Sequence, residues 1–301
     1  MKKLTLLVYS LLFFNVANSQ GILSFKTSDG ESLFYTKTGK GPIIIFLSGG
    51  PGVSVNSMQL WADTLSTKFE CILFDQRGTG LSTNVRLDST TINLERATKD
   101  IDELRKHLGS EQISLCGISW GGGLSQAYAS FYPNNVKKMV LVSTIGPDLT
   151  LFAAMGDNIT MRQYPNERDS LQYWNKQPSS PTSELRKGVF TYLPYLYDHN
   201  LGYYLGLDFL SKVSINSTMA ELMWKDLVKN YDLKSRLINY KGQCIIIKPR
   251  QDVIPEEGCY LIKELIPQTK MISIERSGHM PHLENPKAFY PALKKAFSDN
   301  F

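Results

Sequence analysis

The chain is predicted to fold as an α/β domain, with a mostly parallel sheet covered by helices on both faces and a helical insertion late in the chain. Three observations carry this expectation. Eight short apolar or β-rich runs are spread along the sequence. Segments with helical spacing separate many of them. The alternation stops after Val142 and resumes near Cys244, leaving about a hundred residues of different character.

The strand-like runs are Ile22 to Lys26, Leu33 to Thr36, Ile43 to Leu47, Cys71 to Phe74, Ile113 to Cys116, Lys138 to Val142, Cys244 to Ile247 and Lys270 to Ile274. No helical pattern separates the first two, which are expected to form a hairpin. Asn93 to Leu108 places Leu94, Ala97, Ile101, Leu104 and Leu108 at helical spacing, and Leu124 to Tyr132 and Pro286 to Phe297 are similar. The division expected from this order is a core of residues 20–146 and 237–301 with a helical cap at 147–236. The cap is aromatic, with Tyr192, Tyr195, Tyr197, Tyr203, Tyr204 and Trp224. It suits a cover over a pocket mouth, most of its rings filling its own core.

The 301 residues, 42% hydrophobic, are enough to bury a large core. Residues 1–19 run from Met1-Lys2-Lys3 through an apolar stretch, Leu4 to Val16, to Ala17-Asn18-Ser19. This is the order of a signal peptide cleaved before Gln20, so an exported protein, periplasmic or extracellular, is expected. The apolar stretch is short for a membrane span, and no other approaches the roughly 20 residues one needs. Without Lys2 and Lys3 the balance is 31 basic against 28 acidic residues, with no basic tract to suit nucleic acid or anionic lipid. Cys71, Cys116, Cys244 and Cys259 show no C-x-x-C spacing, and buried free thiols are expected.

The most informative run is Gly117-Ile118-Ser119-Trp120-Gly121, at the junction of a strand-like run and a helical pattern. A strand turning sharply into a helix holds its corner residue in a strained conformation and needs small neighbours on either side. Ser119 at such a corner is a candidate nucleophile for acyl bonds. A serine needs a base, usually histidine, and four histidines are available. His107 sits at a helix end beside Arg105 and Lys106, where a cation complements the helix dipole. His199 reads as a loop residue of the insertion. His279 and His282 lie in the loop leaving the last strand, and Gly278 before His279 gives that position freedom. Without an acid or cysteine cluster the pair makes no metal site. Asp252, just past the preceding strand, can orient the histidine, with Glu256 and Glu257 as nearby competitors at a helix start. The charge formed on the attacked carbonyl needs two fixed donors. The backbone amide of Trp120 and that of Gly50, in Ser48-Gly49-Gly50-Pro51-Gly52, are assigned to it.

Taken with Asp75-Gln76-Arg77-Gly78-Thr79-Gly80-Leu81-Ser82 and Gly278-His279-Met280-Pro281-His282-Leu283-Glu284-Asn285-Pro286, these runs resemble the proline iminopeptidase branch of the α/β hydrolases. The resemblance extends from about Leu33 to the C-terminus and is weak in the insertion. It implies an eight-stranded sheet with a helical cap, a triad of Ser119, Asp252 and His279, and hydrolysis without metal or cofactor. It also implies a supporting role for Asp75 and Arg77. The chain departs from the family pattern at Ser48, where histidine is usual, and at Pro249, where glycine is usual. Such enzymes hold the substrate's amino terminus with acids of the cap. Asp198, Asp208, Glu221 and Asp226 are available here, and no motif selects among them. The expected activity is release of an N-terminal residue, proline preferred, from short peptides. The alternatives are a carboxylesterase or lactonase with the same triad, and a binding protein that no longer catalyses.

Overall fold

The computed structural model describes residues 20–298. The signal-peptide expectation falls on residues 1–19, outside this range. One eight-stranded sheet runs in the order β1-β2-β4-β3-β5-β6-β7-β8. Its strands are β1 (Gln20–Lys26), β2 (Ser32–Thr38), β3 (Ile43–Leu47), β4 (Glu70–Phe74), β5 (Ile113–Ile118), β6 (Val136–Val142), β7 (Gln243–Pro249) and β8 (Lys270–Ile274). The expected hairpin is present: β1 pairs antiparallel with β2, and β2 with β4, while β4 through β8 are joined by parallel pairs.

Parallel strands covered on both faces read as unbroken apolar runs, because alternate residues point into different cores. In β3, Ile45 and Leu47 enter the core packed by Trp120, Leu124 and Tyr128, whereas Ile44 and Phe46 enter the opposite core with Trp61 and Phe289. The covering helices are α1 (Gln59–Leu65), α2 (Leu94–His107) and α3 (Trp120–Phe131), and, later, α10 (Glu257–Leu265), α11 (Pro281–Glu284) and α12 (Pro286–Ala296). Asn93 caps α2 by accepting from the Arg96 amide. Helix α3 begins at Trp120, earlier than the apolar spacing suggests, because Gly121, Gly122 and Gly123 carry no side chain to mark its first turn.

Between β6 and β7 come α4 (Phe152–Arg162), α5 (Pro165–Asn175), α6 (Pro181–Tyr192), α7 (His199–Lys212), α8 (Ser217–Asn230) and α9 (Lys234–Leu237). The two ends of this segment are tied together: the Leu233 amide donates to the Pro147 carbonyl, and Asp148 bridges Asp232. All four cysteines are free and buried. Burial pushes the Cys71 and Cys244 thiols up to about 12 and that of Cys259 to about 11.

The run after β4 is anchored by ion pairs with almost no exposure. Arg77 meets Asp100 of α2 through two 2.8 Å hydrogen bonds, and Arg96 adds a third to the same carboxylate. Asp75 accepts from the amides of Val55 and Leu81, holding two loops together. Asp100→Ala leaves the buried Arg77 and Arg96 with only Asp29 and Glu103 as carboxylate partners and is expected to cost about 3 kcal/mol. A fall in the urea midpoint with an unchanged m-value checks this.

Candidate active site

Strand β5 delivers Ser119 to the corner before α3, with φ 56° and ψ −120°. A non-glycine residue there costs roughly 1–3 kcal/mol and persists only where its surroundings enforce it. Here they do. A Cβ on Gly117 would lie 2.1 Å from the Gly121 carbonyl oxygen, and one on Gly121 would lie 2.0 Å from that of Leu47. The Ser119 amide donates to Val142 O at 2.9 Å, and its carbonyl accepts from Gly122 and Gly123. The Trp120 amide, first of the helix, has no acceptor inside it and is free for an external negative charge.

The loop after β3 packs against this corner. Ser48 is fully buried: its hydroxyl donates to Val53 O at 2.6 Å and accepts from Gln76 Nε2 at 3.2 Å. Gln76 Nε2 also donates to Ser48 O, while its Oε1 accepts from the Trp120 indole at 3.0 Å. The Gln76 amide therefore links the loop of Gly50 to the first turn of α3, a bracing role that its place in the Asp75 to Ser82 run did not reveal. Gly49 and Gly50 line the same cavity as Ser119, and it is Gly49 that backs onto the serine, since a Cβ there would meet Ser119 Cβ at 3.3 Å.

Asp252 follows β7 as expected, and Pro249, which stands where glycine is usual, is the last residue of the strand, paired with Ile274. Asp252 Oδ1 lies 2.9 Å from His279 Nδ1 and also accepts from the Ile254 amide. Burial alone would raise this carboxyl. The nearby charges of His279 and Lys248, with the two hydrogen bonds, outweigh it and hold the group down at about 2. Lys248, itself buried, lies 3.4 Å from Asp252 Oδ2 and donates to Ile254 O at 2.5 Å. Glu256 and Glu257 stand at the start of α10, and neither takes a hydrogen bond from His279.

The histidine loop rests on the insertion. The His279 amide donates to Tyr195 O at 2.7 Å, its ring stands 5.5 Å from the Tyr195 ring, and a Cβ on Gly278 would lie 2.3 Å from the same carbonyl. Because Nδ1 faces Asp252, Nε2 is left for the cavity that His279 lines together with Ser119. That cavity holds about 280 Å³. Of the six aromatic residues expected mostly to fill the cap, Tyr192, Tyr195 and Trp224 line it. Tyr197 and Tyr204 are exposed, and Tyr203 packs on Phe190.

His282 also lines the cavity, a role the sequence did not signal. Its ring meets Trp61 edge-on at 5.1 Å and lies 6.0 Å from Phe289. Burial, and then the charge of His279, lowers its pKa to about 3, so the imidazole is neutral. His107 and His199 lie elsewhere. His107 stacks on Phe25, and His199, expected in a loop, opens α7 and pairs with Glu167. Among the described residues no group of three or more His, Cys, Asp or Glu could hold a metal ion, and no helix is long and apolar enough to cross a membrane.

Two predictions follow from these charges. Lys248→Met removes the cation beside the buried Asp252 carboxylate, leaving that charge less compensated, and is expected to cost about 3 kcal/mol, read as a fall in the urea midpoint. His282 has a folded-state pKa below its unfolded value, so its contribution to stability is complete above about 6.5 and declines as pH falls towards about 3. His282→Phe is expected to remove up to about 1.4 kcal/mol per pH unit of slope between pH 6.5 and about 5. Urea titrations at several pH values measure that slope whatever the overall stability of the variant.

A family model of the alpha/beta hydrolase fold matches residues 42–286. Among curated proteins, the chain is 26% identical over 277 residues to a proline iminopeptidase of Clostridium botulinum, covering 87% of this chain and 92% of that one. It is 23% identical over 268 residues to the proline iminopeptidase of Heyndrickxia coagulans, covering 86% and 91%. Among solved structures, an alpha/beta fold family hydrolase from Bacillus anthracis superimposes with a TM-score of 0.74 at 17% identity, covering 93% of this chain and all of that one. With its eight-stranded sheet and a matched region far exceeding half its length, the chain belongs to the α/β hydrolase fold family and is similar to the proline iminopeptidases within it.

Proposed function

We propose that this chain is an exported serine hydrolase that moves an acyl group first to Ser119 and then to water. Membership of the family makes it a hydrolase of the peptidase or esterase kind. The observation that carries the serine mechanism is the opening of Ser119, at its strained corner, and of the Asp252-paired His279 onto one enclosed cavity. Export is supported by the order of residues 1–19.

In this reading Ser119 Oγ attacks the carbonyl carbon as His279 Nε2 takes its proton. Asp252 keeps the ring in the tautomer that can do so and stabilises the imidazolium. The amides of Gly50 and Trp120 meet the oxyanion, and His279 returns the proton to the leaving group. Water, deprotonated by the same imidazole, releases the acid and restores Ser119.

Two substrate classes share this chemistry. The name of the curated relatives supports release of an N-terminal residue, proline preferred, from short peptides. The aromatic cavity wall supports a small ester, lactones included. Catalysis rather than mere binding is supported by the bracing of the Ser48 loop through Gln76 and by Pro249 completing β7 without disrupting it.

Ser119→Ala is expected to lower kcat by about 10³-fold or more on any substrate the protein turns over and to abolish labelling by a fluorophosphonate. His279→Ala in the same background should add little, because the two act as a unit. Turnover that survives Ser119→Ala removes the serine from its role.

A further inference from the structure

We infer that the cavity selects uncharged esters with an apolar acyl chain and rejects substrates bearing a free ammonium. This deepens the serine hydrolase reading and rests on it. None of the residues lining the cavity is an acid, a lysine or an arginine. The walls near Ser119 are the rings of Trp61, Phe152, Tyr192, Phe209 and Trp224, with Met155 between them.

An amino terminus entering such a space loses its water and needs a carboxylate in return. The insertion carries ten acids, and none of them lines the cavity: Asp148, Asp157, Glu167, Asp169, Glu184 and Asp232 lie outside it, and the other four are committed elsewhere. Asp198 caps α7 by accepting from the amides of Asn200 and Leu201. Asp208 and Glu221 are exposed and paired with Lys212 and Lys225. Asp226 accepts from the Leu94 amide and from Asn230. Two further carboxylates near the histidine loop are also engaged. Glu284 accepts from the amides of Tyr197 and Gly278, and Asp252 lies behind the His279 ring with Lys248 on its other oxygen. Ring faces can attract a cation, but such contacts return only part of its hydration.

The second imidazole fits the same class. The Nδ1 atom of His282 is buried with no hydrogen-bond partner among the described residues. Being neutral, it adds no charge to the wall and is suited to a neutral oxygen of the substrate. The chemistry balances without any further reactant. The Ser119 Oγ to carbonyl carbon bond forms, the carbon to alkoxy-oxygen bond breaks, and the serine proton leaves on the alcohol by way of His279. Water then supplies the hydroxyl of the acid and the proton that restores Ser119.

The test compares two 4-nitrophenyl esters of equal length, heptanoate and 6-ammoniohexanoate, which differ by a terminal methyl replaced by an ammonium. The mature protein is first titrated with a fluorophosphonate. The expected kcat/KM ratio is at least about a hundredfold in favour of the neutral ester. Met155→Glu, which places a carboxylate in the wall, is expected to narrow it at least tenfold. Prolyl 4-nitroanilide is expected to give no turnover above the Ser119→Ala background. A ratio below about tenfold, or prolyl 4-nitroanilide cleaved as well as the neutral ester, overturns the inference while a positive titration leaves the hydrolase reading intact. Absence of labelling overturns both.

Discussion

The geometry depends on one close approach. The first turn of α3 lies so near the ends of β3 and β5 that a single methyl group on Gly117 or Gly121 would overlap a backbone carbonyl. That contact forces Ser119 into its left-handed conformation and lifts it clear of the sheet. It also brings the loop of Gly49 and Gly50 against the same corner, where the amide of Gln76 spans between Ser48 and the Trp120 indole. The proposed nucleophile and oxyanion donors are thus fixed by backbone packing.

The acid and the histidine are held differently, by compensation of buried charge. Asp252 is sealed from solvent and stays ionised because Lys248 and His279 approach opposite oxygens of its carboxylate. Lys248 further ties down Ile254, so the turn carrying the acid closes on itself. The histidine loop is completed from outside the core by the carbonyl of Tyr195. The insertion therefore supports the position of His279 as well as walling the cavity.

Much of this was legible in the sequence. Central strands such as β3 and β6 are buried on both faces, and their unbroken apolar runs mark them; Asn93 before a periodic segment marks the start of α2. Ser119, Asp252 and His279 stand out as candidates because each follows the end of a strand. What stayed hidden depends on distances between segments remote in sequence. Nothing local to Gln76 announces that its amide bridges two loops, and nothing about Lys248 distinguishes it from a surface lysine until β7 is buried. The rings of the insertion carry too weak a periodicity to say which of them turn inward, and Tyr192 and Tyr204 look alike until the helices are packed. His282 was hidden for the same reason, since it follows His279 by three positions in one loop and only the fold sets it against Trp61.

The four cysteines bear on where such a chain can mature. A thiol reacts as its thiolate, and burial makes that form scarce at neutral pH in Cys71, Cys244 and Cys259. Cys116 is sealed at the centre of the sheet, and burial raises its thiol as well. Once folded, the protein offers no handle to glutathione or to a disulfide isomerase, and no crosslink is waiting to be made. Its tertiary structure therefore holds no sulfur–sulfur bond for a reducing medium to break, and keeps its thiols away from an oxidising one.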